Sequence, residues 1–287
     1  MEHIRNPLEW SWDHVRRTGR AVGSVGRAIH GASQYRHKRV AVQRIEVSDL
    51  GEALARGFGD FGAFRTDVMF LCLFYPLAGL LLAKLTFGYD LLPMLFPLVS
   101  GFALIGPVAA VGLYEMSRRR ELGLPTNWAN AFSVLASPSF GAIAVLGLLL
   151  AAIFLLWLGA AWMIYALTLG PQAPSSAMSF IRDVLTTEAG WALIALGVGV
   201  GFLFAVLLRT ISVVSFPMLL DCDVGLVSAV RTSYRAVVTN PGPMALWGVI
   251  VAASLVLGSL LLFLGLIIVI PVLGHATWHL YRKLVPG

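Results

Sequence analysis

Long apolar stretches separated by little polar sequence run along most of the chain, from Val68 to Leu280. A helix needs about 20 apolar residues to cross the hydrocarbon core of a bilayer. The pattern therefore predicts a polytopic membrane protein, in which four single spans are recognised directly. They are Val68–Leu85, Leu92–Leu113, Phe140–Leu167 and Trp191–Val214.

The last apolar stretch, Met244–Leu280, is too long for one span. As a single helix it would extend roughly 55 Å, nearly twice the thickness of the hydrocarbon core. We interpret it as a hairpin of two spans with a tight turn near either Gly258 or Gly265. The prediction is an all-α fold with six transmembrane helices.

The distribution of basic residues predicts the orientation of the spans, because Lys and Arg accumulate on the cytoplasmic side of a membrane. With six spans and both termini in the cytoplasm, nineteen of the twenty-one Lys and Arg lie inside, and Lys84 and Arg182 lie outside. A five-span protein would export Arg282 and Lys283, so the asymmetry favours six spans. The largest outer segment is predicted to hold a short surface helix around Ala177–Leu185.

The polar part of the chain is concentrated at its N-terminus. The whole chain is 58% hydrophobic and 13% charged, whereas an average soluble domain has about 45–50% and about 25%. We predict a basic cytoplasmic tail over 1–45, partly disordered or lying as a helix on the membrane surface, and a membrane domain over 46–287. Anionic lipid headgroups are the nearest polyanion to such a tail, so we expect it to bind them and not nucleic acid.

Three short amphipathic segments precede the first, third and fifth spans and divide the membrane domain into repeats. Each has apolar residues on one helical face, which is typical of a helix lying in a membrane interface. The units cover about 48–117, 125–219 and 222–285, and each combines one interfacial amphipathic helix with a transmembrane hairpin. The apolar stripes are Leu50, Leu54, Phe58 and Phe61; Trp128, Ala131, Phe132 and Leu135; and Val227, Val230, Tyr234 and Val237.

Ionisable residues near the membrane are the candidates for a functional site, because a charge in the hydrocarbon region is costly. Six of them are predicted to lie near the cytoplasmic interface, where they form either a polar site or a salt-bridged belt. Arg209 is the clearest: it either contacts a substrate or lipid phosphate, or reaches to a headgroup or to Glu115. The six residues are Arg65, Asp67, Glu115, Arg209, Asp221 and Asp223.

Two histidines, His275 and His279, are weak additional candidates. Their i, i+4 spacing places them on one helical face, which is compatible with a metal site. With Trp278 and Tyr281 beside them they also fit an interfacial anchoring belt. The membrane domain has no third histidine, and two histidines on the same helix cannot hold a haem between them. We therefore predict no metal, no cofactor and no catalytic residue.

Four motifs stand out along the chain: DFGAFRTDVMFLC, GFALIGPVAAVGLYEMSRRRE, SFPMLLD and PVLGHATWHLYRKLV. They resemble those of a bacterial family of integral membrane proteins of unknown function, domain of unknown function family 2189, and the resemblance spans roughly residues 45–285. It implies a bacterial inner-membrane location and a six-span fold, and it adds no activity. Members are sometimes loosely labelled cytochrome c oxidase subunit-like, but this chain lacks the multiple histidines that haem and copper sites require.

Two functions fit these features. The first is a non-catalytic accessory, assembly or scaffold subunit that packs against another integral membrane protein or complex, and the sparse charge within the spans favours it. The alternative is a small transporter, channel or lipid-handling protein with a cytoplasm-facing polar site near Arg209. An enzyme is not expected, since no nucleophile and base, and no set of metal ligands, lie at a matched depth.

Overall fold

The computed structural model describes residues 40–64, 77, 80, 81, 84, 91–104, 106–260 and 263–286, so most of the predicted tail lies outside the described residues. Helices are the only regular secondary structure in these ranges. The α-helices are, in chain order, α1 (Val47–Ala63), α2 (Leu95–Leu104), α3 (Gly106–Ala109), α4 (Val111–Glu121), α5 (Phe140–Thr168), α6 (Ala177–Thr186), α7 (Glu188–Ser212), α8 (Ser215–Asp221), α9 (Leu226–Thr239), α10 (Pro241–Leu260) and α11 (Leu266–Leu284). Two 3₁₀ helices, Leu92–Met94 and Trp128–Ala136, precede α2 and α5.

Three helices in the described ranges are long and apolar enough to cross a membrane. They are α5, the run Glu188–Asp221 that contains α7 and α8, and α10. This confirms an all-helical protein with several candidate spans, at the positions predicted for spans three, four and five. The predicted span Val68–Leu85 lies largely outside the described residues, and Leu92–Leu113 is divided among shorter helices. The count of six spans therefore stays a prediction.

The last apolar stretch forms two helices, as the sequence predicts. The first ends at Leu260 and the second begins at Leu266, and Phe263 between them has a φ angle of 65°. A Cβ placed on Gly265 would lie 2.7 Å from the Cα of Gly258, so both glycines are needed for this close approach. The turn thus lies between the two glycines.

The apolar stripe of α1 packs against α11. Leu50 and Ala53 are buried, and an added Cβ on Gly57 would lie 2.7 Å from the Cβ of Ala276. Of the predicted stripe, Leu50 is buried and Leu54 and Phe61 are partly buried against the core, so much of it is used for packing within the chain. Part of it stays outside, since Phe58 is 57% exposed.

The other two predicted amphipathic segments keep more of their apolar stripes exposed. The first is the 3₁₀ helix Trp128–Ala136, in which Phe132 and Leu135 are exposed. In α9, Tyr234 is exposed, whereas Val230 packs against the core. Both exposed stripes fit a position in the membrane interface.

A short helix, α6, forms where the sequence predicts one in the outer segment. Its apolar residues Met178, Ile181 and Leu185 are exposed. The 3₁₀ helix Trp128–Ala136 precedes α5 and α6 follows it, so exposed apolar stripes lie near both ends of this 29-residue helix. At 1.5 Å per residue, α5 is about 43 Å long, which is enough to cross the hydrocarbon core and reach both interfaces.

The buried core continues through α8, which follows α7 after a short turn. Phe216, Met218 and Leu219 of α8 are wholly buried, as are Met116 of α4 and Trp278 of α11. This core brings the ends of α4, α8 and α11 together, and α1 lies across α11 at the same end.

Replacing Gly57 by alanine should loosen α1 from α11, because the new Cβ would push against the backbone and side chain of Ala276. We expect a loss of roughly 1–3 kcal/mol of stability, the usual cost of overpacking. Gly51→Ala is a matched control on the same helix, since nothing lies within 4 Å of its added Cβ. Thermal unfolding in nanodiscs compares the two variants, and equal midpoints would contradict the close packing.

Candidate functional site

A buried carboxylate, Asp60, connects three helices at one end of the molecule. It lies in the last turn of α1 and is 4% exposed. Its Oδ2 accepts a hydrogen bond from the Ser117 hydroxyl at 2.5 Å and lies 2.9 Å from Nε2 of His279. Its Oδ1 accepts a hydrogen bond from Nη1 of Arg120 at 2.6 Å. The carboxylate thus ties α1 to α4 and to α11.

Helical spacing explains why these side chains converge. Ser117 and Arg120 are three residues apart on α4, and His275 and His279 are four residues apart on α11, so each pair shares a face. His275 is wholly buried, with its Nδ1 2.7 Å from the Ser117 hydroxyl. These four residues and Asp60 form what we call the Asp60 cluster.

The Asp60 cluster contains a serine, a histidine and an acid, as the active site of a serine hydrolase does, but here they are hydrogen-bonded in a different order. In a catalytic triad the histidine lies between the serine and the acid, and it accepts the serine proton. Here the Ser117 hydroxyl lies between Asp60 and His275 and donates to the carboxylate. Ser117 is 1% exposed and His275 is 0% exposed. The arrangement joins α1, α4 and α11 through hydrogen bonds.

The pKa of Asp60 reflects two opposing effects. Burial acts to raise it, because the carboxylate loses water. Hydrogen bonds from His279 and Ser117 act in the opposite direction and outweigh burial, so the pKa of Asp60 lies below its ordinary value. The carboxylate is therefore ionised at neutral pH, and Arg120 is its charged partner.

A second set of ion pairs surrounds the Asp60 cluster. Arg118 lies 3.3 Å from Glu115 and 3.6 Å from Asp221. Arg282 lies 3.0 Å from Asp221 and 2.9 Å from Glu121. The structure thus brings together two of the predicted site residues, Glu115 and Asp221, through a shared arginine.

A further tie holds the start of α1 on the end of α11. Lys283 lies 2.7 Å from Asp49 and also pairs with Glu52. The hydrogen bond with Asp49 raises the pKa of Lys283, and the same bond lowers the pKa of Asp49. These side chains are partly exposed, so solvent screening keeps the energetic contribution small.

The two weak candidates, His275 and His279, belong to the Asp60 cluster, whereas the remaining four of the six predicted polar-site residues lie elsewhere. Arg209 donates a hydrogen bond to the carbonyl of Met244, so it connects α7 with α10. Asp223 is exposed in the loop after α8. Arg65 and Asp67 fall outside the described residues.

The sequence reasoning missed Asp60 as a site residue, although the chain carries a signal for it. Leu50, Ala53, Gly57 and Asp60 are the buried residues of α1, and they follow helical spacing on one face. An acid within the apolar stripe of a helix needs a buried partner. Ser117 carries no comparable signal, because its role depends entirely on contacts between helices.

A cleft of about 290 Å³ opens beside the Asp60 cluster. We call it the arginine cleft, because three arginines are prominent in its wall. Within the described ranges, no group of three or more His, Cys, Asp or Glu could hold a metal ion. The cleft is lined by Arg56, Asp60, Ser117, Arg120, Glu121, His279 and Arg282.

Comparison with known protein families gives a match over residues 95–221, from the start of α2 to the end of α8. The family is described as "Predicted integral membrane protein (DUF2189)". This stretch matches the DUF2189 family. This confirms the resemblance carried by the sequence motifs, and the membrane character of DUF2189 agrees with the three candidate spans. No curated protein and no solved structure matches the chain.

The DUF2189 match covers only part of the site. It includes Ser117 and Arg120 on α4, together with Glu115 and Asp221. Asp60 on α1 and the two histidines on α11 lie outside the matched residues. The Asp60 cluster therefore joins the DUF2189 region to the helices that precede and follow it.

The lowered pKa of Asp60 predicts a loss of stability at acid pH. A carboxylate with a lower pKa in the folded state stabilises the fold above its unfolded pKa, and this stabilisation is lost as the pH falls through the folded value. We expect Asp60→Asn to cost about 1–3 kcal/mol at neutral pH, because buried donors lose a charged acceptor. The gap between wild type and variant should close progressively below about pH 5.

Thermal unfolding at a series of pH values measures this gap. Asp223→Asn, which changes an exposed carboxylate, is the control and should leave stability at neutral pH unchanged. A gap between wild type and Asp60→Asn that persists unchanged into strongly acid solution would contradict the depressed pKa.

Proposed function

We propose that the protein is a non-catalytic integral membrane subunit that packs against another membrane protein as an accessory, assembly or scaffold component. The observation that carries the proposal is the exposure of its candidate spans. In Glu188–Asp221, 6% of the most apolar window is buried, against 33% in Phe140–Thr168 and 17% in Pro241–Leu260. Within the part of the chain that the structure describes, most of this window of α7 therefore stays unburied and offers a long apolar surface to lipid or to a partner helix.

Small residues on α7 support a helix as the occupant of this surface. Lipid tails are as apolar as the side chains, so helices in a membrane associate through close van der Waals packing. Small residues permit this close approach. Gly201 is used within the chain, where an added Cβ would lie 3.0 Å from the ring of Trp157. An added Cβ on Gly197 or Gly199 would have none of the described residues within 4 Å. Two glycines with open space beside them suit the close approach of a helix from another protein.

Ion pairs at the polar end of the molecule, the end that carries the Asp60 cluster, support a structural role. Six basic and six acidic side chains pair with one another there, and we call them the ion network. Their pairs hold α1, α4, α8 and α11 at fixed positions and give a stable base for the candidate spans. The network consists of Arg56, Arg118, Arg119, Arg120, Arg282 and Lys283 with Asp49, Glu52, Asp60, Glu115, Glu121 and Asp221.

The alternative, a transporter or lipid-handling protein with a polar site near Arg209, has less support. Arg209 donates to the carbonyl of Met244, and an added Cβ on Gly248 would lie 2.6 Å from its Nη1. The guanidinium is thus used in packing between α7 and α10, whereas a transport site would require it to face a cavity.

A pull-down from native nanodiscs tests the scaffold proposal. We expect the tagged protein to recover another membrane protein in stoichiometric amount, identified by mass spectrometry. Gly199→Leu fills the open side of α7 and should reduce that recovery severalfold. Gly159→Leu is the matched control, because its added Cβ also has nothing within 4 Å but lies on α5.

Two results would count against the scaffold proposal. One is recovery of the protein alone, with no stoichiometric partner from native membrane. The other is movement of a solute by the purified, monodisperse protein in liposomes, which would favour the transporter alternative.

We further propose six spans, arranged as three repeats, with both termini in the cytoplasm of a bacterial inner membrane. The bias of nineteen Lys and Arg out of twenty-one toward one side supports this orientation. The ion network lies near the start of α5, since Ser133 of the preceding 3₁₀ helix is 3.5 Å from Glu115. The exposed helix α6 follows the other end of α5.

Single cysteines test this orientation in a variant that lacks Cys72 and Cys222. Met178→Cys on α6 should react with a membrane-impermeant thiol reagent outside intact cells, because Met178 is 74% exposed. Leu122→Cys after α4, where the side chain is 57% exposed, should react only once the membrane is opened. Reversed labelling would overturn the orientation, and labelling of both from outside would contradict a crossing by α5.

A further inference from the structure

We propose that the arginine cleft binds a phosphate group, presented by an anionic lipid headgroup or as inorganic phosphate. This inference goes beyond the scaffold function and does not depend on a protein partner. The wall of the cleft carries three arginines against two carboxylates. Its volume of about 290 Å³ is close to the lower end of the range for small-molecule sites, about 300–1,000 Å³. A headgroup therefore fits it better than a large ligand.

The two carboxylates of the cleft are already occupied by donors from the protein. Asp60 accepts three hydrogen bonds within the Asp60 cluster. Glu121 accepts one from Nε1 of Trp278 at 3.0 Å and another from Arg282. Because these acids are satisfied, the chemistry that the cleft still offers to a ligand comes from its basic side chains.

Two arginines retain donors that the protein does not use. A guanidinium has five N–H donors in a planar fork that matches phosphate geometry. Among the described residues, Arg56 uses Nη2 for Glu52 at 2.8 Å, and Arg120 uses Nη1 for Asp60. Their side chains are 56% and 44% exposed. Each carboxylate orients its arginine and leaves the remaining N–H groups for an anion.

The position of the cleft brings it to the level of lipid headgroups. Asp221 is the last residue of the candidate span Glu188–Asp221, and Arg282 of the cleft lies 3.0 Å from it. The cleft is therefore next to the end of a candidate span, where anionic lipids present their phosphates. Basic pockets between membrane helices on the cytoplasmic side are a recognised way to bind such headgroups.

Arg56→Gln tests the proposal, because the described polar contact of Arg56 is an exposed pair that the fold does not require. Arg235→Gln removes the same charge from the exposed side of α9 and is the matched control. In nanodiscs of phosphatidylcholine, stabilisation by inorganic phosphate gives an affinity for each protein. We expect Arg56→Gln to weaken it about tenfold, as for the loss of one charge-assisted hydrogen bond, and Arg235→Gln to leave it unchanged.

A second arm replaces phosphatidylcholine with phosphatidylglycerol and measures retained lipid by native mass spectrometry. Retention of phosphatidylglycerol by wild type and by Arg235→Gln, with loss in Arg56→Gln, identifies a lipid headgroup as the ligand. A response to inorganic phosphate with no retained phosphatidylglycerol identifies the free anion. The proposal is overturned if neither probe separates wild type from Arg56→Gln, or if Arg235→Gln loses as much binding, which would indicate general surface charge.

Arg120→Lys provides a second variant should Arg56→Gln fail to fold. It keeps a positive charge beside Asp60 but loses the forked geometry. We expect thermal stability close to wild type with weaker phosphate or lipid retention. Unchanged retention in this variant would also overturn the proposal.

Discussion

The close packing of α1 on α11 is the contact that supports the polar end of the molecule. Gly57 lacks a side chain, so α1 approaches Ala276 directly, and Asp60 comes within 2.9 Å of His279. A wider separation would leave the buried carboxylate without its donors, and an unpaired buried charge is costly. The charge pairing therefore depends on the apolar packing, because the glycine contact sets the distance between the helices that the hydrogen bonds require.

Features that depend on local composition could be predicted from the sequence. Length and hydropathy decide whether a helix can cross a bilayer, which is why the positions of α5, α7 and α10 agree with the prediction. The hairpin in the last apolar stretch follows from its length. The Asp60 cluster depends on contacts across 57 residues to Ser117 and across 219 residues to His279. Asp60 is not one of the predicted stripe residues of α1, and only the tertiary structure shows that it is buried and which partners it has.

The Asp60 cluster shows why residue types alone do not indicate chemistry. Catalysis by a serine requires an exposed hydroxyl and a histidine that can take its proton. Ser117 and His275 are both buried, and the serine donates to Asp60. Burial makes these hydrogen bonds effective as ties between helices, because no water competes for the donors.

On the two proposals above, recognition depends on the few places where the surface of the protein is not uniform. Along the candidate spans, an apolar side chain gains little by exchanging lipid for a partner, because both are equally apolar. The open glycines of α7 differ from that background in shape, since a helix can approach them more closely than lipid tails pack. At the polar end the six basic and six acidic side chains of the ion network are paired, so the phosphate proposal depends mainly on geometry. Among the described residues, Arg56 and Arg120 are each held by one carboxylate and keep further donors.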